Sequence, residues 1–155
     1  MSKSLARVTA ALEAAGLPSV PVAARGEIRT AEAAAAEAGV AVDQIVKSIL
    51  FQGDSGRLVL FLTAGGNRVD LGKAAALAGE PLSRAGVEVV RSVTGFAIGG
   101  VAPLGHLTPS PTFLDPRLLD FAEVWAAAGT PRHMFGVDPQ SLVRATAATV
   151  ADFTG

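Results

Sequence analysis

Residues 45–63 read Ile-Val-Lys-Ser-Ile-Leu-Phe-Gln-Gly-Asp-Ser-Gly-Arg-Leu-Val-Leu-Phe-Leu-Thr. Two runs rich in β-branched and aromatic residues, 45–51 and 57–63, flank Gly53-Asp54-Ser55-Gly56, a combination that predicts a β-hairpin. On the N-terminal side, Leu5, Val8, Ala11 and Leu12 share one face of a predicted helix over residues 4–15, which Gly16 and Pro18 stop. Residues 19–22 read as extended. Thr30 is placed to cap a second, alanine-rich helix over 31–38, with Gly39 at its end.

On the C-terminal side, Gly65-Gly66-Asn67 ends the hairpin and Asp70 caps a predicted helix over 71–77, closed by Gly79 and Pro81. A further helix is expected around 86–92. Residues 94–106 carry too many Gly and Pro for a long element, so a shaped loop is expected there. Residues 112–115 and 133–137 read as short strands, with a helical or irregular stretch carrying Phe121, Val124 and Trp125 between them. Asp138-Pro139 then opens a last helix, proline taking the first helical position. Hairpins and helices interleaved in this irregular way predict a mixed-sheet α/β or α+β domain, not a pure parallel doubly wound fold.

The chain has 155 residues, enough for one domain spanning 1–155 with a real core and too few for a synthetase with its own catalytic and anticodon-reading parts. Charged residues make up 17% and the formal net charge is −1, so no global basic field exists to hold a long duplex, and any RNA contact must be local. The absence of cysteine excludes disulfides, a thiolate nucleophile and thiolate zinc sites. Residues 1–7 lead straight into an amphipathic pattern with charges in it, unlike a signal peptide, and no apolar run approaches the ~20 residues of a membrane span. A cytoplasmic location is the expectation.

Two features invite chemistry. Lys47 shares a strand face with Ile45, Ile49 and Phe51. Either that face is the solvent side of an edge strand, with the lysine stem lying over apolar surface, or the ammonium is held rigidly at a pocket rim for a phosphate or carboxylate. The loop Gly99-Gly100-Val101-Ala102-Pro103 offers backbone amides unshielded by large side chains, suited to an oxyanion, or else is an ordinary turn. His106 and His133, without cysteine or a carboxylate cluster, make a poor metal site, and no metal or other cofactor is expected. Nucleophile-elbow, H-E-x-x-H, phosphate-loop and dinucleotide motifs are all missing. Thr30, Asp70 and Asp138 have sufficient explanations as caps, and Trp125 reads as core.

Residues 29–34 (Arg-Thr-Ala-Glu-Ala-Ala), 44–51 (Gln-Ile-Val-Lys-Ser-Ile-Leu-Phe), Thr94-Gly95-Phe96 and Gly99-Gly100-Val101-Ala102-Pro103-Leu104-Gly105 together resemble the YbaK and prolyl-tRNA-synthetase-associated editing domain family, in order and spacing over nearly the whole chain. The resemblance implies a mixed α/β fold on a twisted, partly barrel-like sheet. It also implies hydrolysis, in trans, of the ester joining a wrong amino acid to the 3′-terminal adenosine of tRNA. Relatives act on tRNA carrying cysteine, alanine, serine, threonine or 2-aminobutyrate, mostly on proline tRNA, and the loop form here is nearer to those accepting cysteine or 2-aminobutyrate. On the same resemblance, Lys47 engages the terminal nucleotide or its phosphate, and Gly99, Gly100, Val101, Ala102 and Pro103 form the loop that holds the aminoacyl group. Thr30, Ile45, His106 and Gly129 are assigned to substrate binding, although His106, just beyond the Gly-rich loop, reads equally as loop packing or as pocket lining. The implied partners are the acceptor end of an aminoacyl-tRNA and, as a second candidate, prolyl-tRNA synthetase. A non-catalytic module that binds the tRNA end or a nucleotide beside a synthetase is the alternative.

Overall fold

The structure, a computed structural model, describes residues 2–155. Its centre is the predicted hairpin. Strand β2 (Ile45–Gly53) runs antiparallel to β3 (Leu58–Ala64), with Val46 opposite Ala64 and Gln52 opposite Leu58. Around them lie β1 (Val22–Ala23), β4 (Leu82–Arg84), β5 (Thr112–Leu114), β6 (Val124–Ala127), β7 (His133–Val137) and β8 (Thr149–Val150). The eight strands form one sheet in the order β1-β7-β6-β2-β3-β5-β8, with β4 also paired to β2. The β2–β6, β3–β5 and β5–β8 pairs are parallel and the others antiparallel, so the sheet is mixed, as expected.

Helices α1 (Lys3–Ala14), α2 (Ala31–Ala38), α3 (Leu71–Ala78), α4 (Val87–Thr94) and α5 (Pro139–Thr146) flank the sheet. Their ends obey local chemistry: Thr30, Asp70 and Asp138 accept from the backbone amides of Ala33, Lys73 and Gln140, satisfying donors that a helix start leaves open. Residues 116–125 depart from expectation. Pro116–Asp120 forms a 3₁₀ turn, whereas Val124 and Trp125 belong to β6, drawn into a strand by β2 on one side and β7 on the other. Strands β4 and β8 were not foreseen either, since two or three residues carry no period of their own.

The alternation of β2 and β3 divides the interior. Val46, Leu50, Leu60 and Leu62 pack with Val8 and Leu12 of α1, Phe96 and Phe135 in the main core. On the other face Phe61 meets the rings of Phe51, Phe113 and Phe153, while Ile45 packs with Ala34, Ala35 and Met134. Full burial of each such side chain contributes roughly 1.5–3 kcal/mol. Among the described residues no helix is long and apolar enough to cross a membrane.

One irregularity of this sheet positions the site. β3 lines β2 from Val46 to Gln52, but on the opposite edge β6 pairs only with Ile45 and Val46, and β4 only with Phe51, Gln52 and Gly53. Residues 47–50 therefore border a gap. The Gly53 N–H donates to Arg57 O on the β3 side, so odd-numbered residues of β2 turn their N–H and C=O toward β3 and even-numbered ones toward the gap. The Phe51–Arg84 pairing takes up the Leu50 carbonyl, which leaves the N–H and C=O of Ser48 and the N–H of Leu50 without a partner in the sheet.

Candidate active site

A cavity of about 510 Å³ sits at this gap, within the size range of small-molecule sites. Ile45, Ala34, Trp125 and Met134 wall it on the α2 side; Val46, Leu50, Ala85, Val90 and Val101 wall it on the main-core side. Its polar rim is cationic. Arg29, Lys47 and Arg84 line it together with His133, and no Asp or Glu does. The N-terminus of α2, at Thr30 and Ala31, adds partial positive charge. In a chain of net charge −1 this concentrates attraction for an anion at one place.

Lys47 is held there by a relay. The carboxylate of Asp115, only 2% exposed, accepts from the Ala64 N–H and from the Asn67 side-chain amide, and the Asn67 backbone carbonyl accepts from the Lys47 ammonium. The strand alone therefore does not aim this side chain; the turn after β3 does. Burial, with the nearby Arg68 charge, holds the Lys47 pKa below the ordinary lysine value, while Glu32, Asp115 and Asp43 act in the opposite sense.

The Gly-Pro loop closes the far wall. Arg7 of α1 donates to the carbonyls of Gly95 (2.9 Å), Gly105 (3.3 Å) and Thr94 (3.4 Å), and its guanidinium lies 5.0 Å from the centre of the Phe96 ring. The Leu107 N–H donates to Thr94 O, so the loop's neck is tied twice. Replacing Arg7 with alanine removes three hydrogen bonds at this neck, although Thr94 O keeps the Leu107 N–H and Gly95 O the Ser4 hydroxyl; a stability loss of about 1–3 kcal/mol is expected, measured by denaturant unfolding. Lysine should not restore it, because an ammonium lacks the planar fork.

The structure brings some of the expected residues together and separates others. Lys47, Thr30, Ile45, Gly99 and Val101 line the cavity. Gly100, Ala102 and Pro103 lie behind it and are buried. The Gly100 N–H is donated to Ala97 O at 3.1 Å, so that amide is not free for an oxyanion; Gly99 and Val101 have no backbone partner for theirs. His106 stands apart from the cavity. Its Nε2 lies 2.6 Å from Ala102 O and its ring meets Phe96 edge-on, and burial pushes its pKa below the usual imidazole value, so it braces the loop from behind and does not line the cavity.

Gly129 also stands outside the lining. Its φ of 96° and a would-be Cβ only 2.7 Å from Ser4 O make it the point where the chain passes over α1, and its successors Thr130 and Pro131 line the cavity instead. Trp125, read as core, forms part of the wall, its indole N–H donating to Glu123 at 2.9 Å. Arg84, Thr130 and His133 also line the cavity without having been singled out, and Thr130 Oγ1 lies 2.7 Å from His133 Nδ1. The pairing of β6 and β7 could have exposed Trp125 and His133 together, had β6 been read as a strand.

A mixed sheet broken beside a strand lysine thus holds a cationic cavity in the break, with a Gly-Pro loop across it. The family model for the aminoacyl-tRNA editing domain matches residues 25–145, and the chain belongs to that family. The chain is similar over its full length to a solved structure described as a "putative trans-editing enzyme for prolyl tRNA synthetase", with 50% identity, a TM-score of 0.94 and 99% of that chain covered. The hypothetical protein APE2540 is similar at 29% identity and a TM-score of 0.89, over 96% of this chain and 99% of that one. The uncharacterized protein YwhH of Bacillus subtilis (strain 168) is 31% identical over 113 residues, covering 73% of this chain and 72% of its own.

Proposed function

We propose that residues 1–155 form one editing domain that acts in trans as an aminoacyl-tRNA deacylase, clearing proline tRNA of a small wrong amino acid such as cysteine, 2-aminobutyrate, alanine, serine or threonine. The observation that carries this reading is the cavity itself, whose rim offers Arg29, Lys47 and Arg84 to phosphate and whose interior is apolar and small. Water adds to the ester carbonyl carbon, the bond to the ribose 3′ oxygen breaks, and that oxygen takes a proton, giving free amino acid and uncharged tRNA. An aminoacyl ester is already activated by its α-ammonium group and by the vicinal ribose hydroxyl, which helps activate the water. Positioning and preorganised amides therefore suffice without a covalent nucleophile.

The need for such an enzyme follows from pocket energetics: one methylene more or less is worth only about 1–3 kcal/mol of discrimination, so a synthetase for a small residue admits its neighbours and a second site must remove them. The test is a panel of proline tRNAs charged with each of the five amino acids, incubated with a catalytic amount of protein. Release of at least one amino acid over many turnovers is expected. Retention of all five esters, with binding intact, would leave the non-catalytic module in its place.

A further inference from the structure

The broken edge of β2 carries chemistry that the loop does not. With the Gly100 amide engaged by Ala97, the polar backbone groups that face the cavity from a rigid element are those at the gap: the N–H and C=O of Ser48 and the N–H of Leu50. Ser48 adds an irregularity of its own, since its buried Oγ has no hydrogen-bond partner, alone in this among the buried side-chain polar atoms of the described residues. Unpartnered polar groups are expensive in a folded protein unless a ligand or water meets them, and three backbone groups with a hydroxyl beside them point to a ligand.

We propose that the α-amino acid portion of the substrate pairs with Ser48 as a one-residue antiparallel strand, the α-ammonium donating to the Ser48 carbonyl and the ester carbonyl accepting from the Ser48 N–H. This rests on the deacylase reading. An amino acid esterified at its carboxyl retains one donor and one acceptor in the spacing that a hydrogen-bonded strand pair exchanges, and Ser48 is the residue of β2 that presents both free groups to the cavity. The Ser48 N–H then sits on the oxygen that becomes negative as water adds, so the strand backbone supplies an oxyanion donor.

The geometry also fixes handedness. Side chains of directly opposed residues lie on the same face of a sheet, so an L-residue paired with Ser48 sends its side chain to the face of Val46, Ser48 and Leu50, the chamber closed by Ala85, Val90 and Val101. A D-residue in the same pairing sends its side chain to the Lys47 face, where the ammonium and Ile45 stand. The ribose follows the ester oxygen away from the chamber.

The experiment compares three proteins: the wild type, Ser48→Ala, and a protein carrying lactic acid at position 48, which has the alanine side chain but an ester where the Ser48 N–H was. That N–H makes no bond to β3, so no ladder hydrogen bond is deleted, and the Lys47 carbonyl, now an ester's, still faces β3 as a weaker acceptor. The lactic-acid protein should lose ~100-fold in kcat relative to Ser48→Ala, whose side chain it shares, the usual cost of one oxyanion donor. Wild type should also cleave L-alanyl esters at least tenfold faster than D-alanyl esters of the same tRNA, a comparison that decides the matter even if the lactic-acid protein fails to fold. If wild type turns over the panel but the lactic-acid protein keeps its kcat, or both enantiomers are cleaved alike, the pairing is overturned and the deacylase reading stands. If wild type cleaves no ester, both fall.

Discussion

Lys47→Met is expected to lower deacylation of the best substrate at least 100-fold while leaving the fold in place. Methionine keeps the apolar stem along β2 and removes only the charge. The loss follows from what that charge does: the relay from Asp115 through Asn67 holds one ammonium at the cavity rim, and a terminal phosphate placed without it costs the alignment that a positional mechanism depends on. The burial that depresses the Lys47 pKa is also removed, so unfolding should move by no more than about 1 kcal/mol. Single-turnover kinetics with proline tRNA carrying the preferred amino acid, beside a denaturant melt, reads both numbers. Wild-type kinetics in Lys47→Met would make the lysine a strut between β2 and the following turn and nothing more.

Gly100→Ala is expected to damage both rate and stability. A Cβ at Gly100 would stand 2.9 Å from the Thr130 Cα and 3.0 Å from the Thr130 C and N, all backbone atoms that cannot swing aside as a side chain would. The loop must therefore retreat from residues 130–131 across the wall that Gly99, Val101, Thr130 and Pro131 share. Overpacking of this kind costs about 1–3 kcal/mol, and a displacement near 1 Å at a positional site costs ~100-fold in rate. A thermal melt and the same deacylation assay check the two effects together. Unchanged values in both would mean that the loop stands further from Thr130 than the geometry gives.

Much of the fold could be read from the chain because its decisive signals are local. Thr30, Asp70 and Asp138 act as caps through bonds to amides two or three residues on, and the β-branched and aromatic runs 45–51 and 57–63 mark the hairpin by their own composition. What escaped is nonlocal. Strands β4, β6 and β8 are strands because β2, β7 and β5 pair with them, and four residues or fewer cannot announce that alone. The site divides along the same line. Lys47 stood out as a charge in an apolar strand and Gly99 and Val101 as part of a loop rich in glycine, and all three reach the cavity. His106 lay just beyond that loop and Gly129 entered through the resemblance, but His106 turns into the loop interior and Gly129 packs against α1. Trp125 comes from the strand that went unread, Thr130 from the turn after it and His133 from a strand whose partner was that unread one, and the gap along Ser48 exists only once β4 and β6 are seen to stop short of each other.

The mechanism rests on hydrolysis that spares the correct product. The direct measurement is a mixture of two forms of one proline tRNA, one charged with proline and one with a small wrong amino acid from the panel, exposed to a substoichiometric amount of the protein while each ester is followed separately. The expected result is many turnovers of the mischarged form, far above its spontaneous decay, with the prolyl ester decaying at its spontaneous rate. Equal decay of both forms at the protein-free rate, for every amino acid in the panel, would contradict it.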